Sequence, residues 1–210
     1  MNQEIIKRIL SSIIIIAIAF FFIIKGSFFL IFFLSICFFI TSFEWYKMTK
    51  NKNYFLLGLV FLILSFLSAF LLRNIFLKDF ILVILICIST DIGGFVFGKI
   101  FKGPRLTKIS PNKTYSGMIG SFFLSIISAL FYTNYYSLIY WTDNLLLITV
   151  ILISSVSQIG DLTVSYFKRI SKIKNTGEII PGHGGLLDRI DGMLFAIPFA
   201  FIFLKMIKFI

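Results

Sequence analysis

Polar positions along this chain are few and bunched. Apolar residues run almost unbroken over about 9–24, 27–43, 54–72, 79–98, 117–133, 144–167 and 192–209, and the charged residues collect between these runs. Stretches such as "LSSIIIIAIAFFFII" and "LLLITVILISSVSQIG" approach the roughly 20 residues that a helix needs to cross a bilayer. The runs are continuously apolar rather than alternating, which argues against a β-barrel. The pattern predicts an all-α fold, a polytopic transmembrane helical protein of about seven spans. The first two runs are parted only by Lys25-Gly26, so two short spans and one re-entrant unit both fit. Pro198 falls inside the last run, where neighbouring helices can satisfy the carbonyl it leaves unpaired.

Composition agrees with this picture. The 210 residues are 59% hydrophobic and 14% charged, too apolar to cover a soluble core. Lys7 and Arg8 followed by an apolar stretch with "AIA" at Ala17 to Ala19 outline a signal peptide, but the run continues through Ile24 with no polar region after it. The segment is therefore expected to stay as an anchor. With the N-terminus in the cytoplasm, fifteen of the 20 basic residues fall on the cytoplasmic side. The opposite loop, "TNYYSLIYWTDN", has no basic residue, and its aromatics suit a membrane interface. Most of the net charge of +11 then reads as a topology signal or as contacts to anionic headgroups, and no nucleic-acid partner is expected. The expected location is the inner (cytoplasmic) membrane of the cell. Cys37 and Cys87 lie inside apolar runs with no metal or redox spacing and read as buried thiols. Small residues within the spans are compatible with a homodimer.

The chain divides into N-terminal transmembrane helices, 1–78, and a region 79–210 that carries two long cytoplasmic loops, 99–116 and 168–191. Candidate chemistry gathers around those loops. Asp91 in "CISTDIGGFVFGK" and Asp161 in "SQIGDLTVSYFKR" lie eight and seven residues before a lysine that marks the cytoplasmic end. Both therefore sit about 10–12 Å deep on a helix. An ionised acid in hydrocarbon costs about 2.5–3.5 kcal/mol even on lenient scales. Each could pair with a nearby lysine, but their matched depth favours a shared polar cavity. Asp188 and Asp191, three apart, share one face at the start of the last span, with Arg189 between them. The preceding "PGHGG" allows backbone N–H groups to approach a ligand, and a loop before a helix N-terminus is a natural anion site. Phosphate beside carboxylates points to a divalent metal such as Mg²⁺. His183 could donate to phosphate, brace the loop or act as a base. The loop "GKIFKGPRLTKISPNKTYSG" adds Lys99 and Lys113, a proline-set turn, and the hydroxyls of Ser110 and Thr114. It could grip a phosphate chain or simply be a solvated basic loop; its glycine spacing is not that of a Walker A motif.

The stretch Ser165 to Asp191, "SYFKRISKIKNTGEIIPGHGGLLDRID", closely resembles the signature of the phosphatidate cytidylyltransferases (CDP-diacylglycerol synthases). Ser165, Lys168, Arg169 and Lys174 match its first part. Pro181, His183, Gly184, Gly185, Asp188, Arg189 and Asp191 match its second. "DIGGFVFGK" and "SPNKTYSGMIG" look like two further family blocks, in the family's order. Asn175 stands where the family usually carries an aspartate. The resemblance implies the reaction of CTP with phosphatidate to give CDP-diacylglycerol and pyrophosphate at a bilayer. It also implies Mg²⁺, with a second cation such as K⁺, and names Asp161 and Asp188 as the metal-binding acids. Lys168, Arg169, His183, Arg189 and Asp191 are then the catalytic candidates. Asp91, Lys99, Ser110, Lys113, Thr114, Lys174, Gly184 and Gly185 are the substrate-binding candidates. Three other readings stay open on the residues alone: a transporter or channel, a CTP-using kinase of a lipid alcohol, and an inactive structural family member.

Overall fold

The computed structural model describes residues 17–50, 52–107, 109–138, 141–179 and 184–208. Its helices are α1 (residues 17–25), α2 (Ser27–Thr49), α3 (Phe55–Ile75), α4 (Leu77–Phe101), α5 (Tyr115–Tyr135), α6 (Asp143–Ile170) and α7 (Leu187–Lys208). Among the described residues there is no strand; an isolated bridge pairs Arg105 with Thr114. Among the described residues six helices, α2 to α7, are long and apolar enough to cross a membrane. The polytopic helical fold is the one the hydropathy pattern predicts. Of the first expected span, 9–24, residues 17–24 are described, as α1, and 9–16 lie outside the described residues.

Helix ends differ from the apolar runs in a consistent way. α2 continues past Phe43 through Glu44 and Trp45, α4 reaches Phe101, and α6 takes Lys168 and Arg169 into its last turn. A run ends at its first charged residue, whereas backbone bonding continues, and a basic last turn complements the helix dipole. The α4–α5 and α6–α7 connections are therefore residues 102–114 and 171–186, tighter than the expected 99–116 and 168–191.

α1 turns into α2 at Gly26, whose φ of 66° lies in the left-handed region. Phe22 stacks on Phe33 with ring centroids 5.3 Å apart, so α1 folds back along α2. Arg73, near the end of α3, donates to the carbonyls of Ile23 and Ile24 at 2.8 Å each, satisfying orphan groups at the end of α1. A side chain at Gly26 would overlap that guanidinium. The same end of the bundle holds Tyr132 donating to Lys78 O at 2.9 Å and Trp141 Nε1 donating to buried Asp79 at 3.0 Å. The opposite end holds the α2–α3, α4–α5 and α6–α7 connections, where Ser171 Oγ donates to Met48 O at 2.8 Å.

α7 packs against α2, α3, α4 and α6, and its Ala196, Ala200 and Leu204 sit in the main core with Ile86, Val150 and Ile153. α4 and α5 form the most extensive pair. Their contact is backbone on backbone. A Cβ on Gly93 would lie 2.5 Å from the carbonyl oxygen of Gly120 and 2.9 Å from Ser121 Cα, and one on Gly117 would lie 2.7 Å from Gly94 O. Small residues permit this approach, which needs no hydrophobic driving force inside a bilayer. Gly93→Ala is expected to lower stability by about 1–3 kcal/mol, because backbone cannot yield as a flexible side chain does. Thermal melting of the detergent-solubilised variant measures it.

Candidate active site

The close α4–α5 pair and the α6–α7 pair enclose a cavity of ≈ 380 Å³ at the end of the bundle where the two charged connections lie. Four carboxylates line it: Asp91 from α4, Asp161 from α6, and Asp188 and Asp191 from the first turns of α7. Three basic groups join them, Lys113 from the α4–α5 loop, Lys168 from α6 and Arg189 from α7. Asp91 precedes the last residue of α4 by ten positions and Asp161 precedes that of α6 by nine. Both acids are thus about 14–15 Å from their helix ends, at matched depth. Thr90, Ser121 and Gln158 form the polar floor. Ser121 Oγ donates to Thr90 O at 2.7 Å, and Thr90 Oγ1 donates to Ser154 Oγ at 2.8 Å, tying α4, α5 and α6 together beneath the acids.

Two ion pairs organise the charge. Lys113 Nζ lies 2.5 Å from Asp161 Oδ2, with both side chains partly exposed. Lys168 Nζ lies 2.8 Å from Asp188 Oδ1, with both largely buried. Lys113 is aimed by its loop. Pro111 takes the second position of a turn closed by Lys113 N donating to Ser110 O at 3.0 Å. Thr114 then caps α5, its Oγ1 accepting from Gly117 N at 3.1 Å. Asp188 Oδ2 accepts from Thr176 N at 2.8 Å and Gly185 N at 3.3 Å, so this acid also folds the α6–α7 loop over itself. Gly184, at φ 88°, sits against it; a Cβ there would lie 3.3 Å from Asp188 Oδ2.

Of the residues singled out in the sequence, Asp91, Ser110, Lys113, Thr114, Asp161, Lys168, Asp188, Arg189 and Asp191 line this one cavity. Lys99, Arg169 and Lys174 are exposed and stand outside its lining. Lys99 lies 5.8 Å over the Phe95 ring, and Arg169 Nε donates to Ile109 O at 3.4 Å, tying the end of α6 to the α4–α5 loop. Gly184 and Gly185 support Asp188 from behind. The N–H groups leading into α7, read as an anion site for a ligand, are held by protein carboxylates: Gly185 N by Asp188, Leu186 N and Leu187 N by Glu44. His183 lies outside the described residues. Asn175 is exposed and neighbours Gly184.

Sequence reasoning passed over Gln158, three positions before Asp161 on the same helix face, a spacing that could have found it. It also passed over Glu44, which the apolar run left outside its helix. Lys47 is exposed, with Nζ 4.5 Å over the Phe43 ring, and does not line the cavity. Lys47→Ala is expected to leave turnover within about twofold, consistent with its role as a surface charge; a steady-state rate at saturating substrates checks this.

A family model described as "Cytidylyltransferase family" matches residues 60–207, most of the chain. The chain belongs to this family. The matched segment contains every residue lining the cavity, while α1 and α2 precede it. Among curated relatives, a phosphatidate cytidylyltransferase of Rickettsia prowazekii (strain Madrid E) is 36% identical over 167 residues, covering 75% of this chain and 73% of the relative. One from Rickettsia bellii (strain RML369-C) is 35% identical over 167 residues, covering 75% and 72%. One from Staphylococcus saprophyticus is 34% identical over 160 residues, covering 72% of this chain and 60% of the relative. In this cytidylyltransferase family member, the acids and bases that the sequence spreads over one hundred positions, Asp91 to Asp191, meet at one point.

Proposed function

We propose that this protein is a phosphatidate cytidylyltransferase, which joins CTP and phosphatidate to give CDP-diacylglycerol and pyrophosphate. The observation that carries the reading is the convergence of four carboxylates and three cationic side chains on one cavity in a membrane-spanning member of the family. A phosphate oxygen of phosphatidate attacks the α-phosphorus of CTP. A new P–O bond forms as the bond to the bridging oxygen of the β-phosphate breaks, and pyrophosphate leaves with that electron pair. The attacking group is already ionised near neutral pH, so the step asks for positioning and charge neutralisation rather than a protein nucleophile. Lys113, Lys168 and Arg189 supply positive charge within the cavity.

The donor set fits Mg²⁺. The cavity acids offer only oxygen, and Mg²⁺ is usually held by one or two carboxylates together with substrate phosphates. Among the described residues no three His, Cys, Asp or Glu side chains cluster closely enough to enclose an ion, so phosphates would complete the coordination. Asp161 and Asp188 would hold it; bound there, it would neutralise charge developing on the transferred and leaving phosphates.

The cavity end carries Lys47, Lys50, Lys99, Lys102, Arg105 and the groups of the site, against Lys25, Arg73, Lys78 and Lys205 at the other end. That asymmetry supports a site facing the cytoplasm from the inner membrane. CTP would enter from water, and a lipid headgroup would enter sideways at the depth of Asp91 and Asp161. The test is transfer from CTP labelled at the α-phosphate, with phosphatidate and Mg²⁺ in detergent–lipid micelles. Label in the organic phase with equimolar pyrophosphate supports the reading. Lipid labelled only from the γ-phosphate would identify a kinase, and no transfer by folded protein would overturn the proposal.

A further inference from the structure

Among the described residues, Glu44 is the least exposed acid, and the reaction does not use it. It sits in the last two turns of α2, is 1% exposed, and precedes the matched segment 60–207. Its partners, Thr176, Leu186 and Leu187, lie in the α6–α7 connection (the strap, 171–186) and at the first residue of α7. Oε1 accepts from Leu186 N at 2.9 Å, and Oε2 accepts from Leu187 N at 2.7 Å and from Thr176 Oγ1 at 3.0 Å. The carboxylate thus occupies the N-terminus of α7, where backbone donors and the helix dipole favour negative charge. The strap is built around it. A Cβ on Gly177 would lie 2.7 Å from Glu44 Oε1, and one on Gly185 would lie 2.6 Å from Oε2.

The same strap residues hold Asp188. Thr176 gives its side chain to Glu44 and its backbone N–H to Asp188 Oδ2; Gly185 N also goes to Asp188, one residue before the amides that go to Glu44. Two carboxylates on different helices therefore share one short loop. With Oδ2 committed to the strap, Asp188 presents Oδ1 to Lys168 and the cavity.

We infer that Glu44 is a positioning residue for the active site: from α2, it fixes the α6–α7 strap and the start of α7, and so sets where the Asp188 carboxylate stands. The inference rests on reading the cavity as the site of cytidylyl transfer. Misplacing a reacting constellation by an ångström costs on the order of 100-fold in rate. Glu44→Ala removes all three bonds. Glu44→Gln is nearly isosteric, keeps one acceptor oxygen, and sets an N–H against a backbone N–H.

The experiment compares wild-type protein, Glu44→Ala and Glu44→Gln, all full length in lipid micelles. It reads kcat and KM for CTP and phosphatidate, together with amide hydrogen exchange of the peptide spanning 176–190. Expected are faster exchange in that peptide and a kcat lowered roughly 10- to 100-fold in Glu44→Gln, with KM for CTP changed much less, and a larger loss in Glu44→Ala. Faster exchange with unchanged kcat would make Glu44 a structural anchor only and overturn the inference. Unchanged exchange in both variants would overturn the anchor itself. A wild-type protein without transfer activity would instead overturn the functional reading, and exchange would still judge the anchor.

Discussion

Asp161→Asn lowers turnover by about 100-fold or more and barely changes stability, whereas Asp188→Asn lowers both. The two acids line one cavity, yet their surroundings differ. Asp161 is partly exposed, pairs with Lys113 at 2.5 Å and accepts from Ser165 Oγ at 3.3 Å. Asparagine keeps an oxygen for Ser165 and loses only the charge, and partly exposed ion pairs contribute about 0–1 kcal/mol. What is lost is the field that would hold a divalent cation against the transferred phosphate. Preorganised electrostatic groups of this kind are worth about 100- to 1,000-fold in rate. Asp188 is largely buried and accepts from Lys168 Nζ, Thr176 N and Gly185 N. Its neutralisation leaves a buried ammonium without its counter-ion, a change that costs about 3–5 kcal/mol. Initial rates at saturating substrate, with melting curves in the same micelles, separate the two outcomes. Near-normal turnover of Asp161→Asn at low Mg²⁺ would remove Asp161 from the metal site.

Much of the fold was legible because hydropathy is a one-dimensional signal. The runs mark the helices of the bundle, and the matched depth of Asp91 and Asp161 along their runs already points to the cavity they share. Ends were less legible. Lys168 reads as the start of a loop, yet it lies in the last turn of α6, and that helical phase points it across to Asp188 instead of outward to solvent. Tertiary pairing was not legible. Nothing near Glu44 in the sequence says that its partners lie more than 130 positions away, at Thr176, Leu186 and Leu187. Of "PGHGG", only Gly184 and Gly185 lie among the described residues, and Gly185 N goes to Asp188. The N–H groups entering α7 do meet negative charge, and the protein supplies it.

Lys168→Met is expected to be as damaging as the loss of an acid, and its double variant shows why. Lys168 is 9% exposed, and its ammonium lies 2.8 Å from Asp188 Oδ1. Methionine fills similar volume but leaves a carboxylate uncompensated among buried groups, with Asp191 lining the same cavity. Stability should fall by about 3–5 kcal/mol, and turnover by on the order of 100-fold if the ammonium also neutralises a substrate phosphate. Adding Asp188→Asn removes the orphan charge while keeping an oxygen for Thr176 N. The double variant should therefore melt closer to wild type than Lys168→Met alone, a coupling expected of residues in contact. Turnover should not return with it, because both charges that would face the phosphates are gone. Melting temperature and initial rate, measured on all four proteins of the cycle, give the answer. Recovery of both would mean that the pair only braces α6 against α7. Recovery of stability alone places Lys168 and Asp188 in the chemistry.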